Sequence, residues 1–297
     1  MTKSIFELAL LLLGLLFFAG VFIPASAVTV TDSRAKRISV DKPVRRIVSL
    51  APYITETLTY IGLEHSIVGL IANENLNSTE KTLPIVGNYE SLGLETIVRL
   101  SPDMVVAWLS GNKKTDVKQL ENLGVKVYAH SPRSIHDISK LIRDLSILTG
   151  KSEDALEYEA MFVRDIKVLK DTYSKGKKVA VFYQVWRDPL LTLNENHLIT
   201  DLISLCGGRN IFSDAAAAIP QVSVETVIRA QPEAIISSVD DNTFKETLAY
   251  WQQWSMIPAA KTKQIYNIPP SELQTFSPKI LKGTKKLCQI LETVRSN

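Results

Sequence analysis

Leu94-Glu95-Thr96-Ile97-Val98-Arg99-Leu100-Ser101-Pro102-Asp103-Met104-Val105-Val106 returns, 130 positions on, as Val224-Glu225-Thr226-Val227-Ile228-Arg229-Ala230-Gln231-Pro232-Glu233-Ala234-Ile235-Ile236. Glu, Thr, Arg, Pro and an acid recur in register, and the apolar positions between them are kept. Each copy predicts a short helix, a Pro-acid turn and a buried strand. A solenoid needs at least about three stacked units to bury a core. Two copies therefore predict two related α/β lobes.

Outward from the first copy, Arg46 to Leu50 predicts a buried strand, followed by Ala51-Pro52-Tyr53 and a helix to about Ile61, closed by Gly62. Ile67 to Ile71 is the next strand, and a polar loop runs from Asn73 to Lys81. Thr115 to Leu123 predicts a helix, and Val125 to Ala129 another strand. Strands alternating with helices imply a parallel sheet covered on both faces. Thr31 to Arg45 reads as a polar lead-in. Ile135 to Thr149 and Ser152 to Tyr173 both carry helical apolar spacing. About 22 helical residues reach about 33 Å, a small domain's diameter, so the second predicts a spine between lobes. An ordinary surface helix is the alternative. Val179 to Gln184 then opens the second lobe. The expected division is 28–150 for the N-terminal lobe, 151–177 for the backbone helix and 178–297 for the C-terminal lobe.

Residues 1–27 read as a cleavable leader: Lys3, an apolar run from Leu8 to Ile23, then Pro24 and Ala25-Ser26-Ala27 before Val28. The run has 16 residues, short of the roughly 20 that span a bilayer; a retained anchor is the alternative. About 270 of the 297 residues remain, enough for one large domain or two moderate ones. Hydrophobic content of 45% against 22% charged excludes a disordered chain. Net charge is +3 with no Lys/Arg block, so no nucleic-acid partner is expected. In an oxidising compartment, Cys206 and Cys288, 82 positions apart, read as one disulfide, with two buried thiols as the alternative.

In open α/β sheets ligands sit beyond the carboxyl ends of the strands. Two such lobes on a spine predict a ligand cleft lined by Pro52, Tyr53, Asn73, Tyr89, Trp108 and Trp186, with Ile219 and the segment Ser271-Glu272-Leu273-Gln274-Thr275. Several of these are aromatic in a chain with only 7% aromatics, which suits a large flat ligand. Trp108 and Trp186 capping their own cores is the alternative. Glu95 and Glu225 each begin a short helix, where the dipole favours an acid. Their equivalence in the two lobes also fits docking onto two basic sites of a pseudo-symmetric partner.

The chain resembles the periplasmic binding proteins of ABC importers that have a helical backbone, the family serving vitamin B12, ferric siderophores and haem. The resemblance runs from Arg46 to Leu291. Its matching stretches are Arg46 to Pro52, Leu94-Glu95 to Ala107-Trp108 with Gly111-Asn112, Cys206-Gly207-Gly208 with Asn210 to Phe212, Pro220 to Ser223, and Ser277-Pro278 through Cys288. The cysteines and the Ala-Trp stretch lean towards the cobalamin branch. The resemblance implies two Rossmann-like lobes and a periplasmic location. It further implies a monomer that serves an inner-membrane permease with its ATPase subunits. It assigns Glu95 and Glu225 to permease docking, and Cys206 with Cys288 to a disulfide. Tyr89 stands where the family has a cleft Trp. Asn73 replaces a family Tyr, Ile219 a Trp, and Ser271 to Thr275 an acidic-aromatic segment.

The expected cargo is cobalamin, with no resident cofactor, no metal site and no catalytic residue. Haem or a ferric siderophore is the alternative cargo, with Tyr89 as phenolate ligand or Arg187 as an anion partner. Free-metal binding is disfavoured, since His130 and His136 flank Pro132 at poor spacing. An exported α/β enzyme has no supporting motif: neither a Gly-x-Ser-x-Gly elbow, nor a Walker loop, nor His-Glu-x-x-His occurs.

Overall fold

A computed structural model describes residues 27–73 and 78–297. The leader expected over residues 1–27 lies, but for Ala27, outside the described residues, as does part of the Asn73–Lys81 loop.

The chain opens with a hairpin, β1 (Val28–Thr31) and β2 (Arg37–Val40), paired antiparallel. This corrects the expectation of a polar lead-in. Ile38 and Val40 point inward while Arg37 and Ser39 face solvent, a period-two pattern too short to stand out among charges. Asp32 holds the turn, its carboxylate accepting from the Arg34 and Lys36 amides at 2.8 and 3.1 Å.

The N-terminal lobe then builds β3 (Ile47–Ser49), α1 (Pro52–Tyr60), β4 (Ile67–Leu70), α2 (Leu94–Arg99), β5 (Met104–Trp108), α3 (Lys114–Asn122), β6 (Val127–His130) and α4 (Ile135–Leu148). After α5 (Ser152–Tyr173), the C-terminal lobe builds β7 (Val179–Gln184), α6 (Leu198–Leu205), β8 (Gly208–Asn210), α7 (Val224–Ala230) and β9 (Ala234–Ser237). It closes with α8 (Asp241–Gln252), α9 (Pro258–Lys261), β10 (Ile265–Asn267), α10 (Pro270–Leu273) and α11 (Ile280–Ser296).

Each lobe has a four-stranded parallel sheet, ordered β4-β3-β5-β6 in one and β10-β9-β7-β8 in the other. Counted within its lobe, each sheet runs second, first, third, fourth. The sequence repeat supplies the third strand of each, β5 and β9, and the helix before it. Its Pro-acid turn has a mechanical job. The Asp103 carboxylate accepts from the amides of Arg45 and Arg46 at 2.8 and 2.9 Å, just before β3. Glu233 accepts from the Ala180 amide of β7 at 2.9 Å and pairs with Lys177 at 2.6 Å. The acid thus clips the third strand to the start of the first in both lobes.

Alternate residues of the central strands feed different apolar clusters, as expected for sheets covered on both faces. Val105 and Ala107 pack outward in the N-terminal lobe, and Phe182 packs against Trp251 in the C-terminal lobe. Met104, Val106, Val181 and Tyr183 face inward into one core that runs through both lobes, with the fully buried Phe162 of α5 in it. The spine helix packs on α4 and on α6 and α11, and Arg143 of α4 pairs with Glu159 at 3.0 Å. Cys206, which caps α6, is disulfide-bonded to Cys288 of α11.

Candidate functional site

In the strand order of both lobes the topological switch lies between the first and third strands, and its crevice opens at their carboxyl ends. In the N-terminal lobe that is the gap between Ser49 and Trp108. Trp108 ends β5, and its position is fixed locally. Asn112 accepts from the Trp108 amide at 2.7 Å and donates to the Leu50 carbonyl at 2.9 Å, tying the ends of β5 and β3. Gly111 lies under the indole: a Cβ there would stand 1.8 Å from Trp108 Cε3. Only glycine leaves room for the ring in this pose.

Around Trp108 the cleft is aromatic. Tyr53 meets it edge-on at 6.0 Å and Tyr89 at 5.9 Å. Phe276, from the opposite lobe, stands 6.2 Å from Trp108 and 5.7 Å from Tyr53. Edge-to-face pairs of this kind are favourable beyond their buried area. Tyr53 is further held by His130. The His130 Nε2–H donates to the Asp137 carbonyl at 3.1 Å, so Nδ1 accepts from the Tyr53 hydroxyl at 3.0 Å. Burial lowers the His130 pKa to about 4, keeping the ring neutral in that role, and pushes the Tyr53 phenol well above its ordinary range. Burial also raises the Tyr89 phenol.

Two adjoining cavities occupy the cleft. The larger, about 490 Å³, takes Pro52, Tyr53, Asn73, Tyr89 and Trp108 from one lobe and Ser271, Gln274, Thr275 and Phe276 from the other. The smaller, about 320 Å³, lies mainly in the C-terminal lobe and includes Tyr183, Ile219 and Leu273. Trp108, Gln274, Thr275 and Phe276 line both. Across the cleft, Glu56 of α1 accepts from Thr275 Oγ1 at 2.8 Å, Ser277 Oγ at 2.6 Å and Lys279 Nζ at 3.0 Å.

Ten of the twelve residues expected in the cleft therefore come together there: Pro52, Tyr53, Asn73, Tyr89, Trp108, Ile219, Ser271, Leu273, Gln274 and Thr275. Two lie elsewhere. Glu272 turns its carboxylate to Lys282 and Lys286, at 2.8 and 2.6 Å, whose hydrogen bonds lower its pKa. Trp186 is 57% exposed beside Val185, its indole donating to the Asp188 carbonyl at 2.9 Å, and lines neither cavity. Arg187, weighed as an anion partner, pairs instead with Glu246 at 3.0 Å.

Phe276, Glu56, Lys279 and His197 also line the cavities and were not expected there. Signals existed for two of them. Phe276 is the sole aromatic after Tyr266, and Glu56 is the sole charge in the helix Pro52–Tyr60. Glu95 and Glu225 are exposed in the first turns of α2 and α7. A hydrogen bond from Ser223 lowers the Glu225 carboxyl's pKa.

A family model described as periplasmic binding protein matches residues 47–272. A vitamin B12-binding protein of Vibrio campbellii is 31% identical over 254 residues, covering 85% of this chain and 91% of its own length. The crystal structure of the periplasmic vitamin B12 binding protein BtuF of Vibrio cholerae is similar at TM-score 0.76 and 28% identity, covering 86% of this chain and 99% of that one. The periplasmic heme binding protein HutB of the same organism shares the fold at TM-score 0.73 and 20% identity, covering 83% and 98%. With two lobes, a shared spine and a cleft between them, this chain belongs to the periplasmic binding protein family.

Proposed function

We propose that the chain is an exported periplasmic carrier that takes cobalamin or a related corrinoid into the inter-lobe cleft. It then delivers the cargo to an inner-membrane ABC permease with its ATPase subunits. The leader over residues 1–27 directs export, the carrier acts as a monomer, and no chemical step is assigned to it. The observation that carries this reading is the lining of the larger cavity. Aromatic faces from both lobes converge there, and among the described residues its charged groups, Glu56 and Lys279, pair with each other. Such a surface suits a large ligand with flat faces, neutral amide edges and little net charge. The vitamin B12-binding names of the relatives support the same cargo. A thermal-shift screen with corrinoids, haem and ferric siderophores side by side tests it, since a ligand that binds the folded state raises the melting temperature. Stabilisation by haem alone would contradict the corrinoid reading.

Haem is the second reading, favoured by one observation: the Tyr89 ring is 42% exposed at the cleft. Against it, burial raises the pKa of both cleft phenols, Tyr53 and Tyr89. The one cation lining the larger cavity among the described residues, Lys279, is already paired, leaving haem's two propionates without a dedicated partner.

Glu95 and Glu225 are the proposed permease contacts, one on each lobe at equivalent places in the repeat. Glu95→Lys with Glu225→Lys is expected to leave ligand affinity intact and to reduce uptake. Unchanged uptake would remove the docking assignment.

A further inference from the structure

β7 and β9 run side by side to the edge of the smaller cavity, where Gln184 pairs with Ser237. Tyr183 lines that cavity, and Ser238 follows β9 directly. The hydroxyls of both are buried, and among the described residues neither completes a hydrogen bond, although Gln274 and Ser238 lie near enough to Tyr183 to influence it. A buried hydroxyl without a partner is costly and needs an explanation. The walls nearby are aliphatic, with Leu193, Leu198, Ile199 and Leu273, and the one titratable ring besides Tyr183, His197, is kept uncharged by burial. At about 320 Å³ the cavity has room for a fused heteroaromatic ring but not for a corrin macrocycle.

We propose that this cavity is a subsite for a neutral aromatic heterocycle carried by the cargo, held between the aliphatic walls with its polar edge bonded to Tyr183 Oη. The inference rests on the corrinoid reading for its cargo, which offers two sources of such a ring. One is the nucleotide base below the corrin plane; the other is an adenosyl group above it.

The test is calorimetry on wild type and Tyr183→Phe with cyanocobalamin, adenosylcobalamin and dicyanocobinamide, which lacks the nucleotide base. Phe keeps the ring and removes only the unpaired oxygen, so the ligand-free melting temperature should hold or rise. For the ligand whose ring fills the subsite, affinity should fall by roughly three- to tenfold, the range one neutral hydrogen bond supplies. Loss on both cobalamins but not on cobinamide identifies the nucleotide base, and loss on adenosylcobalamin alone identifies the adenosyl group. An equal loss on all three ligands, or no loss on any, overturns the proposal. If wild type binds no corrinoid, the cargo reading fails by itself. The subsite is then tested with dimethylbenzimidazole and adenosine alone by saturation-transfer NMR. A signal that weakens in Tyr183→Phe keeps the subsite, and silence from both rings, or a signal unchanged in the variant, overturns it.

Discussion

Replacing Glu56 by Ala removes the carboxylate that joins the lobes across the cleft. Three donors converge on it from the C-terminal lobe: Thr275 Oγ1, Ser277 Oγ and Lys279 Nζ. The lysine contributes little, because its side chain is 63% exposed and such pairs are worth at most about 1 kcal/mol. The hydroxyls matter more, since hydrogen bonds to a charged acceptor contribute about 1.5–3 kcal/mol each. They are partly compensated, because Thr275 and Ser277 also bond each other at 3.0 Å. The net loss for Glu56→Ala is therefore about 2–3 kcal/mol, or roughly 5–10 °C in melting temperature for a chain of this size. Glu56→Gln keeps an acceptor for both hydroxyls and should lose at most about 1 kcal/mol. Scanning calorimetry on the ligand-free protein measures both. An Ala variant that melts within about 1 °C of wild type would refute the tie. Gln melting as low as Ala would show that charge, not the hydroxyl network, does the holding.

Gly111→Ala places a Cβ inside the Trp108 indole, so the ring must leave its pose. Corrinoid affinity measured by calorimetry should fall by about tenfold or more, and unchanged affinity would remove Trp108 from the site. Cys206→Ser with Cys288→Ser opens a link across 82 positions. The chain-entropy model gives a cost of about 4–5 kcal/mol, and equal denaturant midpoints for the variant and wild type would contradict it. His130 titrates at about 4 in the folded state against 6.5 unfolded. The unfolded chain therefore binds the proton first, and stability is full above pH 6.5 and falls as pH drops towards 4. Roughly 2–3 kcal/mol should be lost between pH 7 and pH 4.5 by urea denaturation. The loss should be smaller by that amount in His130→Gln; an unchanged profile would contradict the buried neutral imidazole.

The two-lobe architecture was readable because the repeat performs a local task. Asp103 and Glu233 each hold the edge of the neighbouring first strand, so the Pro-acid pair sits at a fixed place in each sheet. The hairpin was not readable. Val30, Ile38 and Val40 are its only buried apolar residues, and Arg34, Lys36 and Arg37 surround them. Loops that follow strands located Tyr53, Tyr89 and Trp108, since the carboxyl ends of a parallel sheet face the cleft. The same reasoning missed Phe276, which reaches the cleft only after the chain returns through α10. Within Ser271 to Thr275 a single helical turn sends neighbouring residues different ways. Glu272 turns to lysines of α11, Leu273 is buried, and Gln274 and Thr275 face the cleft. One turn gives no periodicity from which to read that division in advance. Glu56 carried a signal, a lone charge in an apolar helix, but its partners lie more than two hundred positions away.

Calorimetric titration of the ligand-free protein with cyanocobalamin bears most directly on the cleft as a corrinoid site. One-to-one binding with Kd at or below about 1 μM is expected, weakened at least about tenfold by Trp108→Ala. No heat at micromolar protein, together with a haem Soret shift that Tyr89→Phe abolishes, would contradict it.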